Sequence, residues 1–383
     1  MFCYINKKTG EPISETWKNS LFHQIFSKVS EPRRTGKGNF RHELHDIMLL
    51  VLSAVLCGMD DWEEIEDFGG EQQHWLRRYG SFVHGIPSHD TLNRVFSAID
   101  PVEFSACFSQ WTNSLRAQYG QEVVAIDGKR ICNSHHLNNP AIHMVSAFAT
   151  QNGLCLGQVA TQEKSNEITA IPQLLSLLDV KGCIVTIDAM GCQKNIASKI
   201  VKQGADYILA VKSNQPLLEE GIQDTIRFNK PNSSDIDVDC GHGRIETREC
   251  FVYSNLEMIG GADQWEGLKT IFRIDSQRVI KSTGETSRQT RYYISSLEAQ
   301  AKQFNSWTRS HWAIENNLHW TLDVVFGEDQ SRKRKGYAAQ NFNTVRKTVM
   351  TLLVNEQQWK ASKKRKRSKA LQNEKYRETL LKI

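Results

Sequence analysis

Two aspartates close short apolar runs, Val123-Val-Ala-Ile-Asp127 and Cys183-Ile-Val-Thr-Ile-Asp188. Such runs read as buried strands, and ligand sites of parallel or mixed sheets lie just outside strand ends. A carboxylate there projects into a cleft rather than a core. Taken singly, each Asp also fits a helix cap or a turn, but Gly128 and Ala189, which follow them, leave room for a substrate backbone. A third acid, Glu315, lies in Ser310-His-Trp-Ala-Ile-Glu-Asn-Asn-Leu-His-Trp320. Helical spacing puts His311, Glu315 and His319 at i, i+4 and i+8 on one face. Three carboxylates can hold two cations about 3.5–4 Å apart, the arrangement that serves phosphoryl transfer. Oxygen donors and phosphate substrates favour Mg²⁺, with Mn²⁺ as a substitute. A His/Glu zinc site is the competing use of this helix face, and the two histidines suit either a buried hydrogen bond or a DNA contact.

The surrounding elements are consistent with that placement. Up to about Gly120 the periodicity is helical: 43–57, 60–79, a helix capped by Ser88 or Asp90 and carrying Arg94, and one running from Pro101 to about Gln118. Several short helices with an Arg-bearing one suit either a helix-turn-helix-like DNA module or an all-α packing domain. From Glu122 the period changes. Strands are expected at 123–127, 142–149 and 154–160, with a turn at Gln151-Asn-Gly153. An amphipathic helix is expected over 166–179, a strand at 183–188, a helix at 191–203, a strand at 207–211 and a helix at about 216–227. Residues 228 to about 300 break this alternation with short β-type runs and read as an insertion, and 303 to about 323 return to helical spacing.

The chain has 383 residues, enough for two or three domains. A hydrophobic fraction of 39% with 24% charged residues excludes a disordered or collagenous chain. The net charge of +5 is too mild to indicate nucleic acid by itself. It is unevenly spread, because Arg332-Lys-Arg-Lys335 and the 360–369 segment concentrate basic residues into a phosphate-seeking surface or a solvated tail. Nine cysteines without a Cys-x-x-Cys pair read as reduced thiols. The apolar run from Ile47 to Cys57 is too short for a membrane span, and the first residues lack a secretory pattern. The expected location is the cytoplasm, with no membrane partner.

Ala125-Ile-Asp-Gly-Lys129, Glu163-Lys-Ser-Asn-Glu-Ile-Thr-Ala-Ile-Pro172, Thr186-Ile-Asp-Ala-Met-Gly-Cys-Gln193 and His311-Trp-Ala-Ile-Glu-Asn-Asn-Leu-His-Trp-Thr-Leu-Asp323 resemble motifs of bacterial insertion-sequence DDE transposases. The group concerned is the H-repeat-associated proteins of the ISAs type. Gly241-His-Gly-Arg-Ile-Glu-Thr-Arg248, Arg291-Tyr-Tyr-Ile-Ser-Ser296 and Gly85-Ile-Pro-Ser-His-Asp-Thr-Leu-Asn-Arg-Val-Phe96 match as well, so the likeness covers nearly the whole chain. It implies an α/β fold with a ribonuclease H-like catalytic domain over 121–227 and 301–350, interrupted by a β-rich insertion at 228–300. An all-α DNA-binding domain at 1–120 would precede it and a basic tail at 351–383 would follow. Asp127, Asp188 and Glu315 are then the metal-binding catalytic triad. Many relatives with such an insertion carry Tyr-x-x-Arg-x-x-x-Glu-x-x-x-x-x-x-Lys around the third acid. This chain has Thr308, His311, Glu315 and Leu322 at those positions, so His311 stands where they use Arg.

The expected activity is Mg²⁺-dependent cleavage of DNA at the terminal inverted repeats of an insertion element, followed by joining of the 3′-hydroxyl ends to target DNA. A homodimer would hold the ends. Lys129, Arg130 and Lys212, just beyond strand ends, are expected to bind phosphate. Arg94 is assigned to end recognition, Arg244 and Arg248 to backbone in the insertion, and His311 and His319 to DNA contact. Trp265 suits base stacking or packing within the insertion. Two alternatives stay open: a metal-dependent nuclease without strand transfer, and a catalytically silent DNA-binding protein derived from a transposase.

Overall fold

The computed structural model describes residues 20–35, 40–116, 122–134, 140–161, 167–241 and 243–382. Glu163 to Asn166 of the second motif, His242 of another and the end of the helix expected to reach Gln118 lie outside the described residues. Before the first strand come α1 (Leu21–Phe26), α2 (Leu44–Leu56), α3 (Trp62–Glu71), α4 (Gln73–Leu76), α5 (His89–Ala98) and α6 (Pro101–Leu115). Helix α2 is apolar around most of its circumference and forms the centre of this half, with Ile47 to Leu56 buried. Asp61 and Glu64 close a capping box on α3. Ser88 caps α5 by accepting from the Thr91 N–H, and Asp100 with Pro101 starts α6.

A mixed α/β arrangement follows: β1 (Val123–Arg130), β2 (His143–Ala149), β3 (Leu154–Thr161), α7 (Glu167–Ser176), β4 (Ile184–Ile187), α8 (Lys194–Lys202), β5 (Asp206–Val211) and α9 (Pro216–Phe228). Strands β1, β2 and β3 pair antiparallel, while β4 joins β1, and β5 joins β4, in parallel. Residues 228–300 supply α/β-breaking strands as expected, but four of them: β6 (Ser233–Gly241), β7 (Arg244–Tyr253), β8 (Thr270–Ile280) and β9 (Thr286–Ser295). These continue the same sheet, because β9 pairs antiparallel with β5, giving the order β3-β2-β1-β4-β5-β9-β8-β7-β6. Trp265 is buried in this region's core and packs rather than stacks a base.

The chain then forms α10 (Ala301–His311), a π-helical turn (Ile314–His319), α11 (Trp320–Val324), α12 (Ala338–Asn355), α13 (Lys363–Gln372) and α14 (Glu374–Leu381). Helices α7 and α8 cover one sheet face and α10 part of the other. Helix α12 runs through the helical half, against α2, α5 and α6.

The last helices correct the picture of a free basic tail. Lys366 is buried and donates to the Leu353 carbonyl at 2.9 Å, with Glu356 at 3.0 Å. Arg367 donates to Val55 O and to Asp60, both at 2.9 Å, and Arg377 lies over the Trp75 ring at 4.5 Å. Lys333, from the other basic run, is also buried, 3.3 Å from Asp61 and 4.2 Å from the Phe342 ring centre. Asp60 and Asp61, just before α3, thus meet two cations from far along the chain, and buried charges persist when so paired. Lys360, Lys364 and Arg365 remain exposed.

Candidate active site

Asp127 follows Ile126 on β1, and Ile126 lies opposite Ile187 on the parallel strand β4, so Asp127 and Asp188 emerge side by side. Asp188 is also a cap: its carboxylate accepts from the Met190 N–H at 3.1 Å and starts the 3₁₀ turn Ala189–Gly191. The capping use weighed from sequence is therefore present, and Asp188 also lines a recess. Glu315 comes from the π turn, which lies against β1. A π turn closes i to i+5 and is frequent at functional sites. Here it keeps Ile314 and Leu318 in the core while Glu315, Asn316 and Asn317 face outward.

Burial pushes the Asp127 carboxyl up to about 7, the neighbouring charges of Asp188, Glu315 and Glu167 add to this, and the Gly128 N–H opposes it. Acids that repel one another at a strand end are relieved by a divalent cation, and their oxygens are the donors Mg²⁺ accepts. Among the described residues no three His, Cys, Asp or Glu side chains are assembled closely enough to hold an ion as they stand. The donor chemistry therefore fits, with side-chain adjustment required on binding.

Beside Glu315 opens a cleft of about 980 Å³. Its floor is one face of β7, β8 and β9. Cross-strand pairing sets Glu246 opposite Arg278, Arg248 opposite Ser276 and Ile274 opposite Arg291, so alternation brings Arg244, Arg248, Arg278 and Arg291 to the same side. Arg288, Arg309, Trp312 and Glu315 complete the wall. Arg309 is neutralised by Asp237 at 2.7 Å and by Asp239. Arg278 and Arg288 are exposed, and Arg291 lies 4.6 Å from the Trp312 ring centre. A smaller recess, about 80 Å³, shares Arg291 and Trp312 with the cleft and contains Asp188 and Lys212. An anionic polymer lying on the arginine face would pass beside the acids.

Residues 93–352 match the model of the transposase DDE domain, and residues 23–112 match that of the DDE_Tnp_1-associated domain. The chain belongs to the DDE transposase family. It is 42% identical over 366 residues to the H repeat-associated protein YhhI of Escherichia coli (strain K12), covering 93% of this chain and 96% of that protein. To YncI of Escherichia coli O157:H7 it is 44% identical over 364 residues, 93% of each. Among solved structures, the piggyBac transposase synaptic complex with hairpin DNA overlaps with a TM-score of 0.44 at 10% identity, over 96% of this chain and 78% of that one.

In this transposase the other expected site residues fall into two groups. Arg94, Arg130 and Lys212 are exposed, and Arg244 is half-buried at the cleft. The second group is engaged internally. Lys129 pairs with Asp323 at 2.5 Å, Glu328 at 2.7 Å and Asp329 at 3.6 Å, so it tethers β1 to α11 and the turn that follows it instead of facing a phosphate. Arg248 is buried, donating to Asn305 Oδ1 and Thr308 Oγ1, both at 3.1 Å, and so braces β7 on α10. His311 Nδ1 lies 2.9 Å from Thr186 Oγ1, and burial, then Arg291, pushes it down to about 4. His319 Nδ1 lies 3.6 Å from Asp127, and burial, then Lys347 and Lys129, takes it down to about 3. Both imidazoles are neutral near pH 7, so neither is a cationic DNA contact, and the His319–Asp127 approach is polar rather than ionic. His311 thus turns to Thr186 on β4 and His319 to Asp127 on β1, on either side of the π turn that carries Glu315.

Reading the sequence missed Glu167. It is buried, meets His143 Nε2, and its carboxyl carbon lies 2.9 Å from where a Cβ on Gly128 would stand. Only glycine fits there. The signal was its place inside the Glu163–Pro172 motif, next to apolar helix positions where an acid is out of pattern. Arg278, Arg288 and Arg291 were also given no role. Alternation along β8 and β9, set by pairing, brings Arg278 and Arg291 to the cleft, while Arg288, of opposite parity, reaches its edge from the exposed end of β9.

Proposed function

We propose that this chain cuts DNA at the ends of an insertion element and joins the resulting 3′-hydroxyls to target DNA, with Asp127, Asp188 and Glu315 as the metal-binding acids. The observation that carries this reading is the arginine-floored cleft with Glu315 in its wall, next to a recess that contains Asp188. A nucleic-acid backbone needs a cationic track, and transfer of a phosphodiester needs clustered carboxylates. Strand order β3-β2-β1-β4-β5, with two antiparallel pairings followed by two parallel ones, supports a ribonuclease H-like core for the 121–227 and 301–350 segments. The helical 20–116 segment supports a separate DNA-binding role there.

Mg²⁺ bound at the three acids would supply activation of the attacking oxygen and stabilisation of the leaving one. The protein's own contribution is placement. Asp127 and Asp188 are fixed by adjacent parallel strands, and Glu315 is fixed by the anchoring of Ile314 and Leu318. Arg278 and Arg288 would neutralise phosphates along the floor, while Lys212 stands beside Asp188 to hold the oxygens of the phosphate being attacked. Hydrolysis and joining are the same in-line displacement with a different hydroxyl, so one site serves both. Joining needs a second duplex, for which a homodimer is the simplest arrangement. No described helix is long and apolar enough to cross a membrane, and the cytoplasm is the compartment proposed.

The test is substitution of each acid in a Mg²⁺-dependent cleavage assay on element-end DNA. Asp127→Asn, Asp188→Asn and Glu315→Gln should each lower cleavage at least about a thousandfold, on the scale of losing an essential electrostatic group, while leaving DNA affinity within a few-fold of wild type. A variant that cleaves at the wild-type rate would remove its residue from the site.

A further inference from the structure

A cavity of about 690 Å³ lies in the helical half, and none of its lining residues lines the cleft beside Glu315. Arg33, Arg34 and Arg41 come from the segment that links α1 to α2, His84 from the turn before α5, and Arg94 from α5 itself. No Asp or Glu is among the lining residues. Arg33 reaches a carboxylate outside the pocket, Glu31, whereas Arg78, Arg309 and Arg367 show the pairing that other arginines of the molecule find.

The arginines divide by role. Arg33 is structural: it pairs with Glu31 at 2.6 Å, donates to the His42 carbonyl at 2.6 Å and covers the Phe40 ring at 4.6 Å. It pins the segment so that Arg34 and Arg41 stand at the mouth. Arg34, Arg41 and Arg94 are exposed. Arg94 donates to Thr91 Oγ1 at 3.3 Å, which holds it along its own helix toward the pocket. Protonation of His42 is disfavoured by burial and then by His84, Arg33 and Arg41, with Asp46 opposing. Convergent guanidinium groups without a counter-charge repel one another, and a string of phosphates removes that repulsion. A base-reading arginine, by contrast, acts as a single bidentate fork on one base edge.

We propose that this pocket is a sequence-independent clamp on the phosphate backbone of duplex DNA, with Arg34, Arg41 and Arg94 as its contacts. This rests on the reading of the chain as a DNA-processing transposase, and it gives Arg94 a positioning role rather than the base-reading one expected from the helix pattern. The clamp would hold duplex away from the reacting phosphates, in register with the cleft.

The experiment measures duplex binding by fluorescence anisotropy across a salt series, using the full chain with terminal-repeat DNA and random DNA. Three variants are compared with wild type: R34A/R41A/R94A, R94K alone, and R278A/R288A in the cleft. The clamp predicts that the triple variant loses affinity equally for both DNAs and that its log K against log salt slope falls by about 2.7, at about 0.9 per phosphate contact. R94K should stay close to wild type, because a phosphate accepts either cation. An unchanged slope, or a loss confined to terminal-repeat DNA, would overturn the clamp. If only R278A/R288A weakens binding, the clamp fails and the transposase reading stands. If wild type shows no salt-dependent DNA affinity, the underlying reading fails with it.

Discussion

Asp127 sits where two demands conflict, since burial opposes its charge and the proposed chemistry needs it. Its carboxyl is raised to about 7, against about 3.9 in an unfolded chain. Between those values the folded, metal-free protein binds more protons than the unfolded one, so this residue makes stability fall as pH rises from about 4 to about 7. Asp127→Asn should remove that contribution, leaving the variant more stable than wild type near pH 7 by on the order of a few kcal/mol. Chemical denaturation at several pH values in chelator measures it, and parallel pH profiles for the two proteins would refute it. The two strand-end lysines make a sharper contrast. Lys129→Met leaves the buried Glu328 with Asn343 and the more distant Arg346 and should cost stability, up to about 3–5 kcal/mol. Lys212→Met should leave the melting temperature unchanged while weakening DNA binding. In the sequence both lysines look alike, each just past an apolar run. What separates them is a partner some two hundred positions away, which no local spacing reveals. The strand-end acids were legible for the opposite reason: a carboxylate ending an apolar run is visible from its neighbours alone.

At the scale of elements, the π turn decides how the third acid is presented. The sequence reads as continuous α-helix here, and the amino-acid types gave no warning of the π turn over Ile314–His319. Deleting the exposed Asn317 should let the segment close as α-helix. Far-ultraviolet circular dichroism should stay close to wild type, cleavage should fall at least a hundredfold, and DNA binding should persist. Cleavage at the wild-type rate in the deletion would show that the π geometry has no bearing on the chemistry. Strand β6 was also illegible. Ser233–Gly241 alternates Asp with Ile, Val and Cys, and Asp disfavours strands. It is held by pairing with β7 and by Asn305 and Arg309, which reach Asp235, Asp237 and Asp239 from α10. The strands β1 to β5 and the helices between them were readable because each is apolar enough, or periodic enough, to declare itself before any partner is known.

Across the whole molecule, the two ends of the chain close on each other. Helices α12 to α14 pack into the helical half, with Arg367 and Arg377 inside it. The described part of the C-terminal segment, 351–382, is therefore part of the core that backs the sheet. Truncation after residue 355 should produce an aggregating or unfolded protein rather than a folded enzyme with weaker DNA affinity, as sedimentation and thermal melts would show. A truncated protein that stays monodisperse with an unchanged melting temperature would contradict this. Two cationic surfaces remain on the folded molecule: the arginine floor next to the acids, and the pocket of Arg34, Arg41 and Arg94. In the proposed reading they would give a duplex two points of purchase. The most direct measurement of the central claim is a strand-transfer assay. Purified protein, Mg²⁺ and pre-nicked element-end DNA with a free 3′-hydroxyl are incubated with a supercoiled target, beside the Asp127→Asn variant. Covalently joined product from wild type, absent with the variant and diminishing as salt rises, is the predicted result. Efficient nicking with no joined product at any salt concentration, or joining that survives Asp127→Asn, would contradict it.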